Sequence, residues 1–197
     1  MRLGIFGGSF DPVHNAHLAL ARACQEQAAL DEVWFVPAAT QPLKQTGPRA
    51  TGDERRAMLD LVVVGQPAWR VCTLELDRGG LSYTVDTLRA IHAQRPADAL
   101  FFLMGSDALA DVPQWRSPVE IFRLASPLVA RRAGEREPNL TALTELCPAG
   151  NRPQLINMPA LDISSTGIRR RVASGEAIGQ LVPKAIADFI LARNLYR

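Results

Sequence analysis

Short apolar runs recur along the chain, separated by longer stretches in which apolar residues return every three or four positions. The runs are "LGIF" (3–6), "VWFVP" (33–37), "RVCTLEL" (70–76), "LFFLM" (100–104), "PLVA" (127–130) and "QLINM" (154–158). Helical periodicity fills residues near 15–30, 53–64, 83–95, 117–124, 139–146, 166–174 and 183–193. The first, second, fourth and fifth runs are apolar at consecutive positions rather than alternate ones, the pattern of strands buried on both faces. Buried strands alternating with helices predict an α/β fold, a doubly wound, Rossmann-like domain around a mostly parallel sheet. "TQPLKQTGPRATGD" (40–53) is the one long predicted loop, and 131–138 is a shorter, charged one. In open parallel sheets ligands bind outside the carboxyl ends of the strands, so the residues that follow each run are the place to search.

Composition narrows this picture only a little. The chain has 197 residues, 47 % hydrophobic and 21 % charged, which suits one globular domain spanning 1–197, with a C-terminal helical portion from about 164 packed on it. A formal net charge of +2 is too small for attraction of nucleic acid or a membrane in bulk. The cysteines, Cys24, Cys72 and Cys147, are scattered and odd in number, which argues against a disulfide framework and for a reducing cytoplasm. No secretory leader and no apolar run of roughly 20 residues is visible. Oligomeric state is open, and a homo-oligomer is compatible with everything above.

Chemistry concentrates at "GGSFDPVHNAH" (7–17), directly after the first run, where two of the three histidines stand. Gly7 and Gly8 allow a sharp turn and close approach of a ligand to the main chain. Free N–H groups there, together with a following helix N-terminus, form a natural anion site. His14 and His17 are three residues apart, so at the first turn of a helix beginning near Asn15 their Cβ atoms lie roughly 5–6 Å apart. Both can then donate to one polyphosphate at the positive helix end. A glycine-rich turn capped by Asp11 with two incidental histidines is the plain alternative. A metal pair is another, but the His-Glu-x-x-His pattern is absent and no third ligand suggests itself. A second anion cradle is suggested by "ISSTGIRRR" (163–171). Ser164, Ser165 and Thr166 fit a helix start, and Arg169 shares their face and can bind phosphate bidentately. The alternative there is a capped helix with a basic surface.

The first stretch resembles the signature of the nucleotidyltransferase α/β-phosphodiesterase superfamily, which usually ends His-x-Gly-His. Ala16 stands where that family has glycine, and a slight tightening at the helix start is expected from it. "SSTGIR" is similar to the family's second signature, Ser-Ser-Thr-x-x-Arg, which grips the ATP β- and γ-phosphates. Between them, "LSYTVDTL" (81–88) and "GSDALADVPQW" (105–115) resemble the bacterial nicotinate mononucleotide adenylyltransferases, and this resemblance spans essentially the whole chain.

That resemblance implies transfer of AMP from ATP to nicotinate mononucleotide, giving deamido-NAD and pyrophosphate, with Mg²⁺ held by substrate phosphates. It implies His14, His17 and Arg169 as catalytic residues. ATP would be bound by Gly7, Gly8, Ser9, Phe10, Lys44, Gly105, Asp107, Arg132, Ser165 and Thr166. The mononucleotide would be bound by Thr84, Thr87, Trp115 and Arg116, with Trp115 stacked on the pyridine ring and backbone N–H groups near Thr84 and Arg116 holding the carboxylate. An indole face attracts a flat cation by up to about 2 kcal/mol when dry, which suits a pyridinium. Lys44 corresponds to the lysine of the family's Pro-Pro-His-Lys loop, where Leu43 here replaces the histidine. Asp107 would accept from a ribose hydroxyl; capping the next helix is its ordinary alternative role, and a core anchor is that of Trp115. A phosphopantetheine adenylyltransferase-like enzyme and a nucleotide-binding sensor without turnover are the competing readings.

Overall fold

The computed structural model describes residues 1–44 and 46–197. Six strands form one sheet: β1 (Arg2–Gly8), β2 (Glu32–Pro37), β3 (Trp69–Val71), β4 (Ala99–Gly105), β5 (Ala125–Arg132) and β6 (Gln154–Met158). Their order is β3-β2-β1-β4-β5-β6, and every pairing is parallel. The connecting helices are α1 (Asn15–Gln27), α2 (Gly52–Val63), α3 (Leu74–Arg78), α4 (Thr84–Gln94), α5 (Pro118–Leu124), α6 (Thr141–Leu146), α7 (Ser165–Ala173) and α8 (Lys184–Ala192). A 3₁₀ stretch, Ser106–Gln114, follows β4. The chain leaves β1 in opposite directions across the sheet, toward β2 and later β4, so the switch point of the doubly wound fold lies between β1 and β4.

The consecutive apolar runs have the expected cause. In β4, Phe101 and Leu103 join the core beneath α1, α2, α7 and α8, whereas Leu100, Phe102 and Met104 join the core beneath α4 and α5. Gly4 in β1 has no room for a side chain, because a Cβ would press on Leu30 and Leu103. Helix starts follow local chemistry too. Thr51 and Glu54 bond reciprocally at the start of α2, Thr51 N–H to Glu54 Oε2 at 2.8 Å and Glu54 N–H to Thr51 Oγ1 at 3.2 Å, a capping box. Ser164 Oγ accepts from Gly167 N–H at 3.1 Å at the start of α7.

One expectation needs correction. The run 70–76 is not one strand: β3 ends at Val71 and α3 begins at Leu74, because only the first residues find a partner, in β2. The stretch after Gly105, expected to follow the fourth strand, winds into the 3₁₀ segment. Among the described residues no helix is long and apolar enough to cross a membrane.

Candidate active site

A cavity of about 450 Å³ opens at the carboxyl ends of β1 and β4, lined by Ser9, His14, His17, Lys44, Arg132 and Arg169 among others. His14, just before α1, and His17, in its first turn, stack face to face with ring centroids 3.6 Å apart and planes 19° from parallel. The His14 backbone N–H donates to His17 Nδ1 at 3.3 Å. That bond assigns the His17 proton to Nε2, so a neutral His17 still presents a donor. Phe6 and Phe10 set their edges against the His17 ring, at 5.9 and 5.1 Å. Burial and the charge of Arg132 lower the His14 pKa to about 4. Burial, then the charges of His14 and Lys44, hold His17 well below the ordinary imidazole value. The Nδ1 of His14 is buried without a partner.

Cations surround this pair. Arg169 Nη1 donates to the Asp11 carbonyl at 2.7 Å and Nη2 to Thr166 Oγ1 at 3.1 Å. Ser165 Oγ donates to the Pro12 carbonyl at 3.0 Å, which ties the start of α7 to the loop before α1. Lys44 Nζ donates to Ser9 Oγ at 3.0 Å. Arg132 pairs with Glu135 at 3.1 Å, and Glu135 also accepts from Ser106 Oγ at 3.1 Å. Asp107 and Gly105 line the same cavity. A Cβ at Gly105 would collide with the Asp107 carboxylate, so glycine there is what admits that side chain. The Ala16 methyl forms part of the wall.

A second cavity of about 340 Å³ adjoins the first; Phe6, Lys44 and Gly105 line both. Gly7, Gly8, Glu75, Thr84, Trp115 and Arg116 are in its wall. Trp115 is half-buried, meeting Phe102 edge-on at 5.7 Å. Arg116 lies over the Tyr83 ring at 4.7 Å and bonds Asp86 at 3.3 Å.

Four sequence-expected residues stand elsewhere than foreseen. Gly7 and Gly8 belong to β1 and open onto the second cavity, not the first. The left-handed backbone that turns the corner is at Phe10, φ 48°, whose ring is 1 % exposed and serves as floor beneath His17. A Cβ at Gly8 would press on that ring. Thr87 is not in the wall; it is buried and donates to Glu75 Oε1 at 2.6 Å.

Other residues escaped the sequence reading. Asp11, expected at most as a local cap, accepts from the Arg49 and Ala50 N–H groups at 2.8 and 3.0 Å. Arg55, 2 % exposed, donates to the carbonyls of Ser9 and Ala38 at 2.8 and 2.7 Å, and so braces the corner from below. Glu75 is buried in the second cavity's wall. Burial raises its pKa, and bonds from Thr87 and Ser82 act against that rise. Arg55 amid helical periodicity and Glu75 within an apolar run carry no local sign that they will be buried.

The chain matches the model of the family described as cytidylyltransferase-like over residues 5–171. A protein of Roseiflexus sp. (strain RS-1), named a probable nicotinate-nucleotide adenylyltransferase, is 43 % identical over 196 residues, covering 99 % of this chain and 98 % of that one. One of Salinibacter ruber with the same name is 38 % identical, covering 100 % and 98 %. Among solved structures, the nicotinic acid mononucleotide adenylyltransferase of Plasmodium falciparum complexed with NaAD superposes with a TM-score of 0.79 at 21 % identity, covering 99 % of this chain and 97 % of that one; at this identity it speaks for the fold.

Proposed function

The chain belongs to the cytidylyltransferase-like family, and from that premise we propose that it transfers AMP from ATP to nicotinate mononucleotide, releasing pyrophosphate and forming deamido-NAD. The observation that carries this reading is the pair of adjoining cavities. One is walled by two histidines, a lysine and two arginines, the other by a half-buried tryptophan, and Lys44 and Gly105 border both. The triphosphate suits the first and the mononucleotide the second, with the α-phosphorus near their junction.

The mononucleotide's phosphate oxygen is already ionised at neutral pH and needs no general base. It bonds to the α-phosphorus in line as the bond from that phosphorus to the bridging oxygen breaks, and pyrophosphate carries the electron pair away. Catalysis is therefore positioning and charge neutralisation. His14 and His17 donate to phosphate oxygens, Arg169 and Lys44 offset the charge of the leaving group, and Thr166 and Ser165 orient it at the start of α7. Asp107 accepts from a ribose hydroxyl and Arg132 borders the adenosine side. Trp115 stacks on the pyridinium, while Thr84 and Arg116 hold its carboxylate end. Gly7 and Gly8 let the mononucleotide approach the β1 backbone.

The converging donors are cationic or N–H groups, which suit anionic oxygens. Among the described residues no three His, Cys, Asp or Glu side chains converge as a metal site. Mg²⁺ fits here as an ion carried by the triphosphate and water, and when bound it neutralises phosphate charge. Residues 1–197 are read as one domain, since Ile168 of α7 and Ile186 of α8 share the core that holds Phe6. The three cysteines are free, which suits a reducing compartment such as the cytoplasm.

The test is pyrophosphate release with ATP and Mg²⁺ offered nicotinate mononucleotide, nicotinamide mononucleotide or phosphopantetheine in turn. Turnover with nicotinate mononucleotide supports the reading, and its absence sinks it. In the same assay His17→Ala, folded by circular dichroism, is expected to lower kcat by roughly 10²–10³, the usual effect of losing a transition-state donor.

A further inference from the structure

Beneath the phosphate cavity lies a buried carboxylate that the chemistry above leaves unused. Asp11 is 3 % exposed. Its Oδ2 accepts from the Arg49 N–H at 2.8 Å, and its Oδ1 from the Ala50 N–H at 3.0 Å. The Tyr196 hydroxyl, 185 positions along the chain, donates to the same Oδ1 at 2.8 Å. Arg169 Nη1 stands 3.6 Å from Oδ2. The guanidinium that faces the phosphates thus shares a wall with a buried negative charge, and a triphosphate must compete with that charge for it.

A carboxylate offers about four acceptor positions, two on each oxygen. Oδ1 has two partners and Oδ2 one, which leaves a single position, flanked by Arg169. Arg169 Nη1 already donates to the Asp11 backbone carbonyl at 2.7 Å. A charge-assisted bond to the carboxylate would close to roughly 2.7–2.9 Å, so the 3.6 Å separation from Oδ2 is an ion pair not closed onto the side chain. Of the three bonded donors, two are backbone groups of the loop before α2 and the third is the tyrosine hydroxyl. Its ring is 7 % exposed and packs in the core with Ile186 and Ile190. Burial first, then the Asp11 charge, push its pKa well above the ordinary phenol value, so it remains a donor wherever the enzyme works.

We propose that Tyr196 is a positioning residue: by donating to Asp11 Oδ1 it disperses the carboxylate's charge and keeps Arg169 on the Asp11 backbone carbonyl and open to the triphosphate instead of closed upon the Asp11 carboxylate. The proposal rests on the first cavity being the triphosphate site. Loss of the hydroxyl leaves Oδ1 one partner short. The carboxylate's charge is then less dispersed and draws Arg169 onto the open position of Oδ2, and the guanidinium turns away from the cavity.

Tyr196→Phe keeps the ring and removes only the donor. Full-length wild type and variant are titrated with Mg²⁺-tripolyphosphate, and separately with nicotinate mononucleotide, after circular dichroism has established folding. Tripolyphosphate affinity is expected to fall about tenfold, the scale of one hydrogen bond to a charged group, with the ATP kcat/KM falling in step and mononucleotide affinity unchanged. Adding Asp11→Asn to Tyr196→Phe removes the charge that captures Arg169 and is expected to restore tripolyphosphate affinity. Unchanged tripolyphosphate affinity in folded Tyr196→Phe overturns the proposal. So does equal weakening of both ligands, which marks general loosening, and so does a folded double variant weaker than the single one. Should the double variant not fold, the split between the two ligands in the single variant decides. Tripolyphosphate binding needs no acceptor, so a wild-type chain that binds it but transfers nothing to nicotinate mononucleotide refutes only the substrate reading. One that does not bind it refutes this proposal as well.

Discussion

His14 and His17 are held neutral in the free protein by the same features that suit their proposed role on phosphate. Each is desolvated, the rings are 3.6 Å apart, and Arg132 and Lys44 add positive charge nearby. Neutral imidazoles donate through N–H without repelling the neighbouring cations. This arrangement has a consequence for stability. The His14 pKa is about 4 in the folded chain against 6.5 for the free side chain. Between those values the unfolded chain binds more protons, so stability is intact above pH 6.5 and declines as pH falls toward 4. From pH 6.5 to 5 the loss from His14 is on the order of 2 kcal/mol, at about 1.4 kcal/mol per pH unit. Urea unfolding at pH 7 and pH 5 is expected to show this loss in the wild type and a smaller one in His14→Asn. Equal losses in both proteins would remove His14 from the account.

Each element delivers its residues by its end, and small structural details decide which residues arrive. The start of α7 is fastened to the corner after β1 through Ser165 and Arg169, so the two signature stretches meet although their closest residues are separated by more than a hundred others. The end of β4 works differently. Gly105 has ordinary extended backbone, φ −75° and ψ 157°, which an alanine could adopt, but a Cβ would displace the Asp107 carboxylate. Gly105→Ala is therefore expected to fold normally and to raise the KM for ATP roughly tenfold, the value of one displaced hydrogen bond to a charged group. The check is steady-state kinetics with each substrate varied in turn; an unaltered KM for ATP would count against Asp107 as a ribose contact. How much of this was legible depends on the element. The signature glycines, histidines and serines announce a site because they cluster in sequence. The role of Phe10 as a floor under His17 was hidden, since it depends on a left-handed residue that only the folded corner requires. Thr87 shares a helix with Thr84 but faces Glu75 on α3, a helix that the apolar run 70–76 disguised as strand.

At the scale of the whole molecule, a small net charge of +2 conceals a strong local asymmetry. Lys44, Arg132 and Arg169 converge on one cavity beside two histidines, and low-dielectric walls there concentrate the field on an anionic ligand. The second cavity shares Lys44 with the first and is bordered further by Arg116, Trp115, Thr84 and the buried Glu75. This division predicts separable effects. Trp115→Ala is expected to weaken mononucleotide binding by roughly tenfold or more, consistent with a cation–π contact worth up to about 2 kcal/mol, and to leave ATP binding nearly unchanged. Titration with each ligand alone is the measurement. Equal weakening of both would make Trp115 a packing residue on Phe102 and Phe122 rather than a seat for the ring.

By itself the sequence determined the α/β class, six strands within a residue or two at most ends, and the two stretches whose residues line the first cavity. These are local properties: consecutive apolar positions record burial on both faces of a sheet, and histidine and serine at fixed offsets record a helix start. The tertiary structure alone decided which distant groups support them. Asp11 binds the loop before α2 and Tyr196, and Arg55 braces Ser9 and Ala38. Buried polar groups must find partners, but the chain can supply a partner from any distance. Which one answers is fixed only when the strands take their order and bring the ends of β1, β4 and α7 together.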